Sequence, residues 1–151
     1  MTQSTVSDAR LLLTVFNIGE SLFAVDALHV QEIIRVSAFT KVHHAPAHVV
    51  GIINLRGRIV TILDPAHRLG LPPVPPVPSA RILVLDWQDE YVGLLVSRIQ
   101  DVLSIDADQL AAPPPNMKQA FGACLSHVVR IKEQAISVLD LPTMLSVEEV
   151  S

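Results

Sequence analysis

Apolar residues fall in short runs separated by turn residues, and most runs are too brief for helices. Val, Ile and Leu fill Leu11–Ile18, Leu22–Val25, Ile52–Leu55, Arg58–Leu63, Arg81–Leu85, Tyr91–Val96, Cys124–Ile131 and Ala135–Leu139. Short runs of this kind, at this spacing, predict the strands of a barrel or sandwich. Gly19-Glu20, Arg56-Gly57-Arg58 and Gln88-Asp89-Glu90 interrupt paired runs and predict hairpin turns. Helix signals are weak. Asp26 predicts one capped turn through "ALHV", and "DPAHRL" and "DLPTML" each predict a short helix.

The pattern repeats. "IVTILDPAHRL" (59–69) resembles "AISVLDLPTML" (135–145), and earlier "VQEI" (30–33) resembles "IQDV" (99–102). The two matches keep the same order in each half, which points to duplication. Two copies of a strand-rich unit predict a mainly β protein made of two similar small barrels with short helices. The expected organisation is a disordered tail over 1–10, one domain over 11–146 and a short tail over 147–151. Within the domain, subdomain one runs over 11–68 and subdomain two over 81–146. Between them lies "LGLPPVPPVPSA" (69–80), with prolines at 72, 73, 75, 76 and 78. Proline fixes φ and lacks the N–H of a central strand, so this segment reads as a stiff, polyproline-like connector. Its P-x-x-P pattern also suits a ligand of a partner domain, although a linker alone accounts for it. Pro113–Pro115 is expected to turn the chain before the last hairpin.

Composition narrows the function. The chain has 151 residues, half of them hydrophobic and 4% aromatic, so aliphatic side chains must fill the core. A net charge of -4, without any run of Lys and Arg, argues against nucleic acid as a partner. The longest apolar run, around "LLLTVF", is far short of a spanning helix, which needs about 18 residues or more, and Asp8 before it spoils a signal-peptide flank. A single cysteine, Cys124, excludes an internal disulfide and fits a reducing cytoplasm.

The stretch "GIINLRGRIVTILD" (51–64) poses a sharper question, because two arginines flank the glycine of its turn. The repeat sets Arg56-Gly57-Arg58 against Lys132-Glu133-Gln134, so the hairpin itself does not demand Arg-Gly-Arg. Gly57 answers a need for positive φ. One reading of Arg56 is structural: Glu32 in the first half matches Asp101 in the second, and Arg56 matches Lys132, so an acid–base pair ties the same strands in each half. The other is functional: a guanidinium at a hairpin tip presents a planar fork of donors to a partner. The two are compatible.

"VDALHVQEII", "GIINLRGRIVTILD" and "VGLLVSRIQDVLSI", in that order, resemble the CheW family of chemotaxis coupling proteins, over about Leu11 to Leu145. The resemblance implies a pair of SH3-like five-stranded barrels without catalytic activity. It implies a cytoplasmic adaptor recruited to membrane-associated receptor arrays. There it would join the signalling tip of chemoreceptors to the regulatory domain of a sensor histidine kinase, itself built like CheW. It places Val30, Gly51, Arg56 and Val102 at or near the receptor-binding groove, with Glu32 adjoining. Kinase contacts are not assigned to residues, and no cofactor, metal, nucleic acid or membrane insertion is implied. The chain departs from the family pattern at Ser97, where many members carry Asp. The alternative is a regulatory module of a non-flagellar chemosensory pathway, controlling surface motility or a second messenger.

Other candidates are weaker. His43, His44 and His48 invite a metal, but they surround Pro46 in an expected solvated loop without a carboxylate or cysteine at a familiar spacing. Cys124 and His127 lie three apart on an expected strand and so face opposite ways, against a nucleophile–base pair. No phosphate-binding glycine motif is present. Trp87 and Tyr91 flank a hairpin turn, as partner anchors or as barrel caps.

Overall fold

The computed structural model describes residues 10–145. The expected tails lie outside the described residues, as does position 146, except that Arg10 already belongs to the first strand. In chain order the elements are β1 (Arg10–Ile18), β2 (Ser21–Asp26), β3 (Val30–Arg35), β4 (Val49–Leu55), β5 (Arg58–Leu63) and α1 (Pro65–Leu69). Then follow β6 (Arg81–Trp87), β7 (Glu90–Val96), β8 (Arg98–Asp106), α2 (Pro115–Phe121), β9 (Leu125–Ile131), β10 (Gln134–Leu139) and α3 (Leu141–Met144). Asp26, Asp64 and Asp140 cap the three expected short helical turns through their carboxylates. Helix α2 is new: Pro115 starts it at the position where a missing N–H costs nothing, so the proline cluster opens a helix as well as turning the chain.

Ten strands form two five-stranded sheets. Sheet I has the order β8-β1-β2-β10-β9 and sheet II the order β3-β6-β7-β5-β4. The expected halves, 11–68 and 81–146, are therefore not the two sheets. Each sheet takes strands from both halves, because β3 leaves β2 to pair with β6, and β8 leaves β7 to pair with β1. The duplication itself is visible in detail. Replacing β1–β5 by β6–β10, and the reverse, turns one strand order into the other. The parallel contact Thr61↔Val92 in sheet II matches Ser137↔Phe23 in sheet I. Even the bulges recur. Gln31 is the extra residue of β3 and Gln100 that of β8, while Val50 is the extra residue of β4 and Ser126 that of β9.

In each sheet an isolated bridge brings the outer edges together, Thr40↔Ile52 in sheet II and Ala111↔Val128 in sheet I. The result is a pair of SH3-like subdomains. From Leu13 onward, strand β1 is covered on both faces. Leu13 and Val15 fill the interior of sheet I with Ala24, Val129 and Ile136, whereas Phe16 and Ile18 join Phe23, Val25, Ile62, Leu83 and Leu94 in a core shared by both sheets. A stretch buried on both faces has no polar side to show, which explains why the apolar run continues through Leu13, Val15 and Phe16.

The proline connector is pinned at its middle. Val74 is buried, and its N–H donates to Asp64 Oδ2 at 3.1 Å, while Asp64 Oδ1 accepts from Ala66 N at 3.0 Å. One carboxylate thus caps α1 and holds the connector against the core. Among the described residues no helix is long and apolar enough to cross a membrane.

Candidate functional site: the tip of the β4–β5 hairpin

The hairpin turn is two residues long, Arg56-Gly57, with φ of 52° and 87°. Positive φ at both central positions is the type I′ turn, whose twist suits a two-residue hairpin. The counterpart Lys132-Glu133 and the β6–β7 turn Gln88-Asp89 have the same signs, so the third residue of each expected turn already belongs to the following strand. Asn54 supports the first of these turns by accepting from Gly57 N at 2.9 Å. The "NLRG" spelling thus has a local cause in its Asn and its Gly. Arg56 has none, since a long side chain gains nothing from φ above zero.

The two arginines take different partners. Arg56 forms an ion pair and hydrogen bond with Glu32 on β3. Arg58, the first residue of β5, lies over the Tyr91 ring, 3.7 Å from its centroid. Strands β3 and β4 are the opposite edges of sheet II, and the Arg56–Glu32 pair spans the line where the Thr40–Ile52 bridge closes them. The Arg56 side chain nevertheless remains 68% exposed, against 25% for Glu32. Its guanidinium is oriented by one carboxylate and still open to a partner.

The counterpart pair does not form. Among the described residues no ion pair joins Asp101 to Lys132; Asp101 Oδ1 instead accepts from Val102 N at 2.8 Å. The expectation of one acid–base tie in each half holds for the first half alone.

The other expected site residues spread out from this tip. Val30, at the start of β3, is half-buried against the shared core. Gly51 is buried on β4, where an added Cβ would lie 2.7 Å from the Thr40 carbonyl oxygen and 2.9 Å from Phe39 Cβ. It is there to let the closing segment approach. Val102 stands on the other sheet, on β8 opposite Thr14, and is half-exposed. Sequence reasoning missed two exposed apolar neighbours of this set: Ile33, which the repeat sets against Val102, and Leu12, on β1 beside the Val102 position. The repeat could have found Ile33, once Val102 was chosen.

The remaining candidates fall as follows. Ser97 Oγ accepts from Gly19 N at 2.8 Å and so supports the β1–β2 turn. His43 and His44 are exposed, but His48 is buried, which corrects its expected place in a solvated loop. Its Nε2 lies 3.1 Å from Arg68 Nη2. Arginine can only donate, so that nitrogen accepts and the ring proton sits on Nδ1. Cys124 is buried just before β9, and burial raises its thiol pKa, whereas His127 is exposed on the strand. The two do not form a nucleophile–base pair.

This architecture agrees with that of a known protein, and the sequence is similar to known relatives. The chain is 32% identical, over 91% of its length and 88% of the relative's, to a probable chemotaxis protein CheW of Rhizobium etli. It is 33% identical, over the same shares, to a chemotaxis protein CheW of Rhizobium meliloti. The crystal structure of the scaffolding protein TtCheW from Thermoanaerobacter tengcongensis matches with a TM-score of 0.83 at 26% identity, covering 91% of this chain and 94% of that one. The family model of the CheW-like domain matches residues 13–149, and the chain belongs to that family.

Proposed function

We propose that this chain is a non-catalytic adaptor of a bacterial chemosensory pathway, coupling chemoreceptors to the regulatory domain of a histidine kinase. Family membership carries the class of function. The oriented, exposed guanidinium of Arg56 carries the assignment of the receptor face. On this reading Arg56 and Glu32 present the polar contact of that face, with Val30 and Val102 as its apolar flanks and Gly51 as the packing residue beneath. The receptor end engaged is the signalling tip, and the protein works in the cytoplasm beside membrane-bound arrays.

Purified adaptor mixed with a receptor signalling-tip fragment and with the kinase regulatory domain, separately and together, tests the reading. Both binary complexes are expected, together with a ternary one. Transient interfaces of this kind bury about 1,200 Å² or less in total, so micromolar affinities are expected. Calorimetry that detects neither partner at high concentration would refute the adaptor assignment.

A further inference from the structure

The duplication gives each sheet an equivalent end, and the two ends are built differently. The contact Thr61↔Val92 matches Ser137↔Phe23, so Tyr91 stands against Leu22, and Arg58 stands against Gln134. Tyr91 lies two residues before Gly93, whose added Cβ would meet Ile62, Ile82 and Val60, so the ring is on the inner face of sheet II. There Arg58 lies over it, and Arg56 of the same hairpin bridges to Glu32. An aromatic ring, a guanidinium and an ion pair thus occupy that end.

In sheet I all three are missing. Leu22 replaces the ring, Gln134 replaces the guanidinium, and Asp101 turns to Val102 N and does not pair with Lys132. A cavity of about 760 Å³ lies at this end, within the range of about 300–1,000 Å³ usual for small ligands. Val15 and Ile136 are buried at its apolar floor, beside Leu22.

The polar lining indicates the charge of a ligand. Asn17 is only 4% exposed and lines the cavity. Its Oδ1 accepts from Gln100 Nε2, and among the described residues its Nδ2 has no acceptor. Arg98 stands opposite Asn17 in the β1–β8 ladder, and so on the same face. Lys132 joins the lining from the β9–β10 turn. Among the described residues neither cation has an ion-pair partner. Glu20 and Asp101 also line the cavity, which disfavours a multiply charged anion and suits a single carboxylate. We propose that this cavity binds a small aromatic carboxylate. The ring takes the place that Tyr91 holds in sheet II, against Leu22 and Ile136. The carboxylate accepts from Asn17 Nδ2 and Arg98, with Lys132 as the second cation. The site uses neither Arg56 nor Glu32 and goes beyond the adaptor reading.

Phenylpropionate is the probe. Calorimetry with the full chain should show saturable, one-to-one binding with a Kd below about 1 mM. In methyl NMR the Leu22 and Ile136 signals should move. Phenethylamine keeps the ring and reverses the charge, and propionate lacks the ring; each should bind at least about tenfold more weakly. Leu22→Tyr/Gln134→Arg rebuilds in sheet I the stack of sheet II and should abolish binding in a chain that stays folded. Arg98→Ala, at an exposed residue, should weaken phenylpropionate about tenfold and leave phenethylamine unchanged. Absence of binding to wild type, equal binding of the amine, or methyl shifts elsewhere with Leu22 and Ile136 unmoved would overturn the proposal, as would binding that survives the double substitution. Should that double variant fail to fold, Arg98→Ala decides, and an unchanged affinity for phenylpropionate overturns it.

Discussion

The Arg56 guanidinium is held by the Glu32 carboxylate across the line where the two edges of sheet II meet. It is held there from a backbone with φ of 52°, a conformation that Asn or Gly adopts more readily. The residue with the better turn chemistry is absent, and the one with the better recognition chemistry is present.

That conflict gives two opposed outcomes for one substitution. Arg56→Asn should relieve the turn while losing a partly exposed ion pair of at most about 1 kcal/mol, leaving stability nearly unchanged. Binding of the receptor fragment should weaken by roughly 2 kcal/mol, about thirtyfold, with kinase binding preserved. Denaturant midpoints and the two affinities, measured together, check it. A loss of stability with receptor affinity intact would make Arg56 a structural residue only. Arg58→Ala should lower stability slightly through its Tyr91 stack and leave receptor binding alone.

Gly51→Ala should destabilise the protein by about 1–3 kcal/mol, because its Cβ would press on the Thr40 carbonyl and Phe39 at once. The chain around Thr40 is tied to Ile52 by two hydrogen bonds of 2.8 and 2.9 Å and has little room to yield. Urea unfolding measures the effect. A variant as stable as wild type would show that the closing segment is loose.

His48→Ala should cost about 1–3 kcal/mol, since it removes a buried ring that Arg68 donates to. His43→Ala and His44→Ala, both on the exposed loop, should stay within about 0.5 kcal/mol of wild type. Thermal melts of the three single variants distinguish the buried histidine from its neighbours.

Asp64 predicts a pH dependence. Burial raises its pKa, against the lowering effect of the N–H groups of Val74 and Ala66 and of the charge of His67. A carboxyl with a raised folded pKa contributes stability that is fully present below its unfolded value and is lost as pH rises through the folded one. Asp64→Asn lacks that titration. The stability of Asp64→Asn minus that of wild type should therefore become more favourable between pH 3.5 and pH 7 (approximate limits set by the unfolded value). A difference that moves the other way would mean that the two N–H donors outweigh burial.

The sequence made the eight apolar strands, the capped turns and the duplication legible, because each is written in local pattern. Strands β3 and β8 were not legible as strands, although their repeat was. In β3 exposure alternates, but Glu32 takes the more covered face to meet Arg56, and Ile33 points outward. Polarity is inverted where the candidate site lies, so a rule that equates apolar with buried fails there. The exchange of strands between halves was equally hidden. Similar segments reveal a shared ancestry of shape but not which copy each strand pairs with. The missing Asp101–Lys132 tie shows the reverse limit, since matched residue types at matched positions did not yield matched contacts. The identity of Arg56 and Glu32 as partners came from comparing the two halves.

The crossing of β3 and β8 between sheets also orders events during synthesis. Sheet II is complete once β7 has been made, but β1, the first strand of the chain, finds its second neighbour only in β8, and β2 meets β10 only at the very end. Pairings so distant along the chain slow folding, because a long loop must close before any contact rewards it. Until then Phe16 and Phe23 can lean only on sheet II, and Leu13 and Val15 wait for Val129 and Ile136 to cover them. The hairpin that leaves the ribosome first is the last to be enclosed.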